Sequence, residues 1–245
     1  MYIEDRPDLQ AVLGVFQDKV LSKTTYFGVK TLKNPLDAWV YQEIICEVRP
    51  DIVIEVGNFC GGSTLFLAHI LDALGKGKVI ALDLSHKDVP EFIKKNRRIK
   101  FIEGDACKNS VRVKKLIKRT DKVLVIEDSA HTFENTLNVI KTFAPMVTKD
   151  SYLIIEDSIC HHGIAVGPNP GPWEAIEEFI KDNQEFIIDR SREAFLITYN
   201  PKGFLRRQTV SGKYSKSMLT SSIQWLAHRF GYHISRWPIE PSSYL

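Results

Sequence analysis

The chain has 245 residues, 44% of them hydrophobic and 26% charged, and its 33 basic and 30 acidic side chains leave a formal charge of +3. That balance fits one globular core, excludes a disordered chain, and gives no electrostatic footprint for a nucleic-acid partner. No apolar run reaches a membrane span, MYIEDRPDLQ lacks the apolar core of a signal peptide, and Cys46, Cys60, Cys107 and Cys160 form no Cys-x-x-Cys pair, so a cytoplasmic protein with reduced thiols is expected.

Residues 1–33 are expected to form an N-terminal helical or lid segment. From Asn34 onward helix and strand alternate. Asn34-Pro35 reads as an N-cap and first helical residue, and LDAWVYQEIICEV continues at helical spacing to the break at Pro50-Asp51. Ile52–Val56 reads as a strand. It carries Glu55 near its end, is followed by Gly57, Gly61 and Gly62, and leads into a helix from about Ser63 to Leu74. Further strands are expected at Lys78–Leu84, Ile99–Asp105, Lys122–Asp128 and Ser151–Asp157. Helices are expected near Pro90–Asn96, Ser110–Arg119 and Thr132–Val147. After a glycine- and proline-rich loop, WEAIEEFIKDN reads as a helix. Two strands, Glu185–Asp189 and Ala194–Asn200, then follow with no helix between them. Residues 208–245 form an extension in which Trp225, Phe230, Tyr232 and Trp237 alternate with basic residues.

Parallel strands with crossover helices, ending in a helix and a hairpin, give an α/β fold. The expected architecture is a seven-stranded, mostly parallel, Rossmann-like sheet of the class I methyltransferase kind, with helices on both faces and a C-terminal antiparallel hairpin. The spacing Glu-x-Gly-x-x-x-Gly-Gly over Glu55–Gly62 is not the dinucleotide fingerprint Gly-x-Gly-x-x-Gly; it fits the first motif of S-adenosylmethionine (SAM) methyltransferases. Adjacent glycines at a helix entrance bring backbone N–H groups against a ligand.

Ligands of such a sheet sit beyond the carboxyl ends of its strands. Each parallel strand delivers a carboxylate to that edge: Glu55, Asp83, Asp105, Glu127-Asp128 and Glu156-Asp157. Asp83 follows the glycine turn by about twenty residues, where a carboxylate accepts ribose hydroxyls. Gly104-Asp105 stands where an adenine amino group would donate, although Asp105 equally suits a helix N-cap. Asp128, Glu156 and Asp157 can share a hard divalent cation such as Mg²⁺. Consecutive strand residues face opposite ways, so Glu156 and Asp157 can act together only where the chain already turns. His131 is a candidate general base or substrate contact, with a helix-cap role as the alternative. His161 and His162 read as loop histidines rather than ligands.

The segments KNPLDAWVYQEII, IVIEVGNFCGGST, IEDSAHTFENT, IIEDS, GPWEAIEEF and IDRSREAFLITYNPKGFLRR together resemble the cephalosporin hydroxylase / rhamnosyl O-methyltransferase family, over roughly Gly28 to Arg207. The resemblance implies a SAM-dependent, Mg²⁺-dependent O-methyltransferase acting on a hydroxyl of a sugar or natural-product acceptor. It implies metal ligands at Asp128, Glu156 and Asp157. It places SAM contacts at Glu55, Gly57, Gly61, Gly62, Ser63, Asp83 and Asp105, beside which Gly104 stands at its strand end, and it matches His131 to a histidine common after the fourth strand. The proton of the acceptor hydroxyl is then expected to pass to His131 or Asp128, His131 being favoured because a metal-bound carboxylate is a weak base. Residues 34–207 would be the methyltransferase domain, and a homo-oligomer is expected. Glu127 departs from the family pattern, which usually has an apolar strand residue there. A catalytically silent SAM- or glycan-binding module, partnering an assembly enzyme, is the alternative reading.

Overall fold

The computed structural model describes residues 2–208. The expected C-terminal extension lies outside the described residues except for Gln208. Helix α1 (Pro7–Lys19) leads to two short paired strands, β1 (Thr25–Tyr26) and β2 (Val29–Lys30). Helix α2 (Pro35–Val48) starts as the sequence predicts, with Asn34 Oδ1 accepting the Leu36 N–H at 3.1 Å and Pro35 at its first position. Then come β3 (Ile52–Val56), α3 (Gly62–Ala73), β4 (Lys78–Asp83), α4 (Glu91–Lys94), β5 (Ile99–Glu103) and α5 (Ala106–Lys114). The chain continues through β6 (Val123–Glu127), α6 (Phe133–Phe143), β7 (Tyr152–Ile155), α7 (Pro172–Asp182), β8 (Phe186–Ile188) and β9 (Phe204–Arg207).

The strands form the expected seven-stranded sheet in the order β5-β4-β3-β6-β7-β9-β8. Neighbours are parallel as far as β7, and β9 runs antiparallel to both β7 and β8. Alternate residues feed two cores. Val53, Leu124, Ile126 and Ile154 pack with α2 and α3, whereas Ile54, Val125 and Leu153 pack with α6 and α7.

The hairpin uses a different second strand from the one predicted. Ala194–Asn200 is β-rich in composition, yet it lies outside the sheet, and Phe204–Arg207 inserts between β7 and β8. Two facts explain the choice. Asp37 in α2 accepts hydrogen bonds from Thr198 Oγ1 at 2.6 Å and the Tyr199 N–H at 2.8 Å, drawing that segment toward the helix. Phe204 and Leu205 then supply one fully buried side chain to each core. Helix α5 also begins earlier than its sequence periodicity predicts, because Asp105 caps it.

Strand order reverses between β3 and β6, so the crevice for a ligand opens at their carboxyl ends. There the Gly57 N–H donates to Leu82 O and the Asp128 N–H donates to Val56 O, both at 2.8 Å. Gly57 has φ +84°, and a Cβ on it would overlap the carbonyl of Asp128. Only glycine lets the two strand ends approach this closely. Gly57→Ala is therefore expected to cost about 2 kcal/mol or more, from backbone strain plus overpacking. Urea unfolding measures it, and a midpoint equal to wild type would contradict the close approach.

Candidate active site

The glycine turn is braced from β4. Asp83 Oδ2 accepts the N–H groups of Asn58 and Phe59, each at 2.9 Å. Gly61, in the left-handed region at φ +83°, is the N-cap of α3. A Cβ on Gly62 would collide with Thr31 and with the carbonyl of Lys30, so the β2 segment crosses directly over the turn. Ser63 is buried in the first turn of α3. Glu55 is buried beneath it, accepts a short hydrogen bond from Thr64 Oγ1, and is pushed up to about 7 by burial. Gly104 and Asp105 stand at the end of β5. Asp105 Oδ1 accepts the Lys108 N–H at 3.0 Å, so that oxygen caps α5.

The carboxylates of β6 and β7 meet beside this turn. Chain turning at the end of β7 is evident: the strand stops at Ile155, and Asp157 has φ +54°. Asp157 and Asp128 both approach His131 Nε2, at 3.3 and 3.7 Å. Ligand atoms of Asp128, His131 and Asp157 lie within 4.8 Å of one another. Glu156 joins through a different partner. The ammonium of Lys33 sits 2.6 Å from Glu156 Oε2 and makes a short ion pair with Asp128 Oδ2. A cationic group thus already bridges two of the carboxylates expected to hold a metal.

The electrostatics follow from this crowding. Burial and the neighbouring Asp128 hold Glu156 well above the usual carboxylate range. Asp157 is raised by burial and by Asp128, against the opposing effect of His131. Burial works against charge on His131, but Asp157, Asp128 and Glu127 outweigh it and raise the imidazole. Burial likewise opposes charge on Lys33, and Asp128, Glu156 and Glu55 together overcome it and raise the ammonium. Glu127 points to the opposite face of the sheet from its strand neighbour Ile126. It is fully buried, accepts a short hydrogen bond from Ser129 Oγ, and is pushed up to about 7 by burial.

A second layer fixes Asp157. Asn200 Oδ1 accepts the Asp157 N–H at 3.0 Å, and Asn200 Nδ2 donates to Tyr41 Oη at 2.8 Å. Asn200 is held in turn by Thr198, whose hydroxyl donates to Asp37. Asn34 Nδ2 also donates to Asp37 Oδ2 at 2.9 Å, and burial pushes this carboxyl up to about 6.

Sequence reasoning missed Lys33, Asp37 and Asn200. Lys33 and Asp37 flank the recognisable Asn34-Pro35 cap, so the signal stood next to a motif already identified. Asn200 was concealed by the strand-like composition of its segment. His161 and His162 remain loop residues: His161 Nε2 is 3.0 Å from Gly167 O, and His162 lies 2.7 Å from Glu174 and stacks on Trp173.

The model of the family described as Rhamnosyl O-methyltransferase/CmcI matches residues 18–208. Rhamnosyl O-methyltransferase of Mycobacterium tuberculosis is 34% identical over 198 residues, covering 77% of this chain and 80% of that protein. A solved CmcI structure described as Mg-SAM superimposes with a TM-score of 0.62 at 24% identity, covering 78% of this chain and 79% of that one. A CmcI apo-structure gives a TM-score of 0.61 at 26% identity, covering 77% and 78%.

Two consequences of the geometry are measurable. Asn200→Ala removes the acceptor for the Asp157 N–H, so stability should fall by about 1–2 kcal/mol. Mn²⁺ taken up at the Asp128–His131–Asp157 cluster should bind roughly tenfold or more weakly, because the Asp157 carboxylate loses the contact that orients it; calorimetry reads it, and unchanged affinity would show that the cluster needs no such support. Glu127 provides the pH test. Its carboxyl is raised in the folded state, so the folded protein favours the protonated form. Stability is therefore lost as pH rises from about 4.5 to about 7, by roughly 3 kcal/mol in all. Glu127→Gln lacks this loss, and its stability relative to wild type should increase across that window in denaturation at several pH values. A difference independent of pH would contradict the assignment.

Proposed function

The chain belongs to the Rhamnosyl O-methyltransferase/CmcI family and is a SAM-dependent O-methyltransferase; from that premise we propose that it methylates a hydroxyl of a sugar or natural-product acceptor, with Mg²⁺ held by Asp128, Glu156 and Asp157. The observation that carries this reading is the position of Asp128. Its backbone closes against Gly57 in the glycine turn, while its side chain lies between Lys33 and His131. One residue therefore links a nucleotide-type cradle to a cluster of carboxylates. The donor set is all oxygen with one adjacent imidazole, which suits a hard divalent cation. Lys33, bridging Asp128 and Glu156, supports the reading of an edge that takes positive charge.

SAM supplies a methyl group already activated on a sulfonium, and a divalent cation supplies Lewis-acid polarisation of the acceptor oxygen. The protein must then align that oxygen and remove its proton. Gly57, Gly61 and Gly62 permit close backbone approach to the cofactor, with Glu55, Ser63, Asp83, Gly104 and Asp105 around it. His131 receives the hydroxyl proton at its imidazole. Its raised pKa comes from Asp157 and Asp128, and charge compensation at those carboxylates frees the ring to act as a base. Asp128 is the weaker choice, because a carboxylate engaged with a cation is a poor base.

The same reading makes residues 34–207 the catalytic domain and residues 1–33 a lid. In support of the lid, Ile3 and Leu13 pack with Ile159 and Tyr199, beside Asp157 and Asn200. No helix among the described residues is long and apolar enough to cross a membrane. A cytoplasmic, reducing setting is part of the proposal and is supported by four unpaired cysteines. So is a homo-oligomer, for which Phe27 and Trp39 offer exposed aromatic surface.

Asp128→Asn keeps shape and removes charge. Methyl transfer from labelled SAM to mixed glycan and phenolic acceptors should be abolished by EDTA in wild type. In the variant it should fall by on the order of a hundredfold, with SAM binding by calorimetry retained. Loss of SAM binding together with activity would overturn this division of labour.

A further inference from the structure

Lys33 belongs to none of the roles described so far, yet it is the cation most deeply placed in the site. Its side chain is 10% exposed, and its ammonium contacts Asp128 Oδ2 and Glu156 Oε2. Those two residues are proposed metal ligands. We propose that Lys33 is a resident counter-cation that competes with the divalent metal: its ammonium neutralises Asp128 and Glu156 in the metal-free protein and leaves them when the metal binds. The inference rests on the metal reading given above and adds an element to it, namely what the carboxylates do without their metal.

Three observations carry it. First, the ammonium already holds one oxygen on each of two of the three proposed ligands, Asp128 Oδ2 and Glu156 Oε2, so a divalent ion that draws on those two carboxylates competes with it for their charge. Second, the side chain has somewhere to go. Lys33, Glu55 and Glu156 line one cavity of about 460 Å³, whose walls include Tyr26, Trp39 and Phe66. Glu55 carries no cationic partner at ion-pair distance among the described residues, so it offers the displaced ammonium a second carboxylate within that cavity. Third, the movement needs no backbone change. The Lys33 N–H is anchored to Thr24 Oγ1 at 3.0 Å, and the next residue caps α2. The stem is fixed while the flexible four-carbon chain turns.

The arrangement has a physical purpose. Carboxylates crowded in a half-buried edge repel one another and lose hydration, so an empty metal site of this kind would tend to spread apart. A tethered ammonium keeps Asp128 and Glu156 together and ready for the metal. The consequence is weaker apparent metal affinity, because entry requires displacement of an ion pair that is already formed.

The test is a Mn²⁺ titration, by calorimetry or by electron paramagnetic resonance, of the full chain without SAM. Wild type, Lys33→Met and the charge-retaining Lys33→Arg are compared. Lys33→Met should bind Mn²⁺ at least tenfold more tightly than wild type, and Lys33→Arg no more tightly than wild type. Lys33→Met should also melt below wild type without metal and gain more in melting temperature at saturating Mg²⁺. Measurable Mn²⁺ binding that is unchanged or weakened in folded Lys33→Met overturns the competition while leaving the metal site standing. Absence of Mn²⁺ binding in all forms overturns the metal reading and this inference with it. Should Lys33→Met fail to fold without metal, wild type still decides the matter. The side-chain nitrogen resonance of Lys33, assigned by its absence from Lys33→Arg, should move on addition of Mg²⁺, and a resonance that stays in place overturns the proposal.

Discussion

Asp128 is held between two basic partners, the Lys33 ammonium at one oxygen and the His131 imidazole at the other. Around it stand Glu55, Glu156 and Asp157, brought to one edge because the strands that carry them run parallel. A parallel sheet has no means of dispersing such residues: every strand ends on the same side. Burial alone would drive these groups neutral, and like charges at short range push in the same direction. The carboxylates are held together by basic side chains interleaved with them. Lys33 pairs with Asp128 and Glu156, and His131 with Asp128 and Asp157.

The need for counter-charge organises parts of the chain remote from one another. Lys33 comes from the segment preceding α2, and its position depends on the Asn34 cap and on Thr24. One turn further along the same helix, Asp37 captures Thr198 and Tyr199. Through Thr198 it sets Asn200, and Asn200 holds the backbone of Asp157 in the left-handed region. The first turn of α2 thus reaches the carboxylates by two routes, one through charge and one through hydrogen bonds. Strain at Asp157, a non-glycine residue at φ +54°, persists because this network over-determines it.

The same network explains what could be read from the sequence. The parallel strands, the glycine turn and the Asn34-Pro35 cap are local patterns, and each occurs where its pattern places it. Carboxylates at strand ends were legible because strand direction alone fixes their edge. Ala194–Asn200 misled because composition reports β-propensity, whereas the segment's course is set by a buried carboxylate 161 residues away in sequence at its Thr198 contact. Lys33 stood beside a recognised cap, yet its role was hidden for a related reason. A lysine beside a helix cap is ordinarily solvated, and only the tertiary approach of β6 and β7 makes it a buried ion-pair partner. Asp105 shows the ambiguity that remains within local reading: the same residue type suits a helix cap and a ligand contact, and the structure gives one of its oxygens to the cap.

The two halves of the site obey different physics. The turn is made by shape: Gly57 and Gly62 are required because neighbouring backbone or side chains occupy the space a Cβ would need, and Gly61 because its backbone is left-handed at φ +83°. The carboxylate edge is made by charge, and its residues could be exchanged for isosteres with little change in packing and large change in field. Both halves meet at Asp128, whose carbonyl presses on Gly57 while its carboxylate is shared between Lys33 and His131. Because main chain serves one half and side chain the other, a change in the charge at this residue need not disturb the cradle. That separation lets the charge at this edge change without rebuilding the glycine turn beside it.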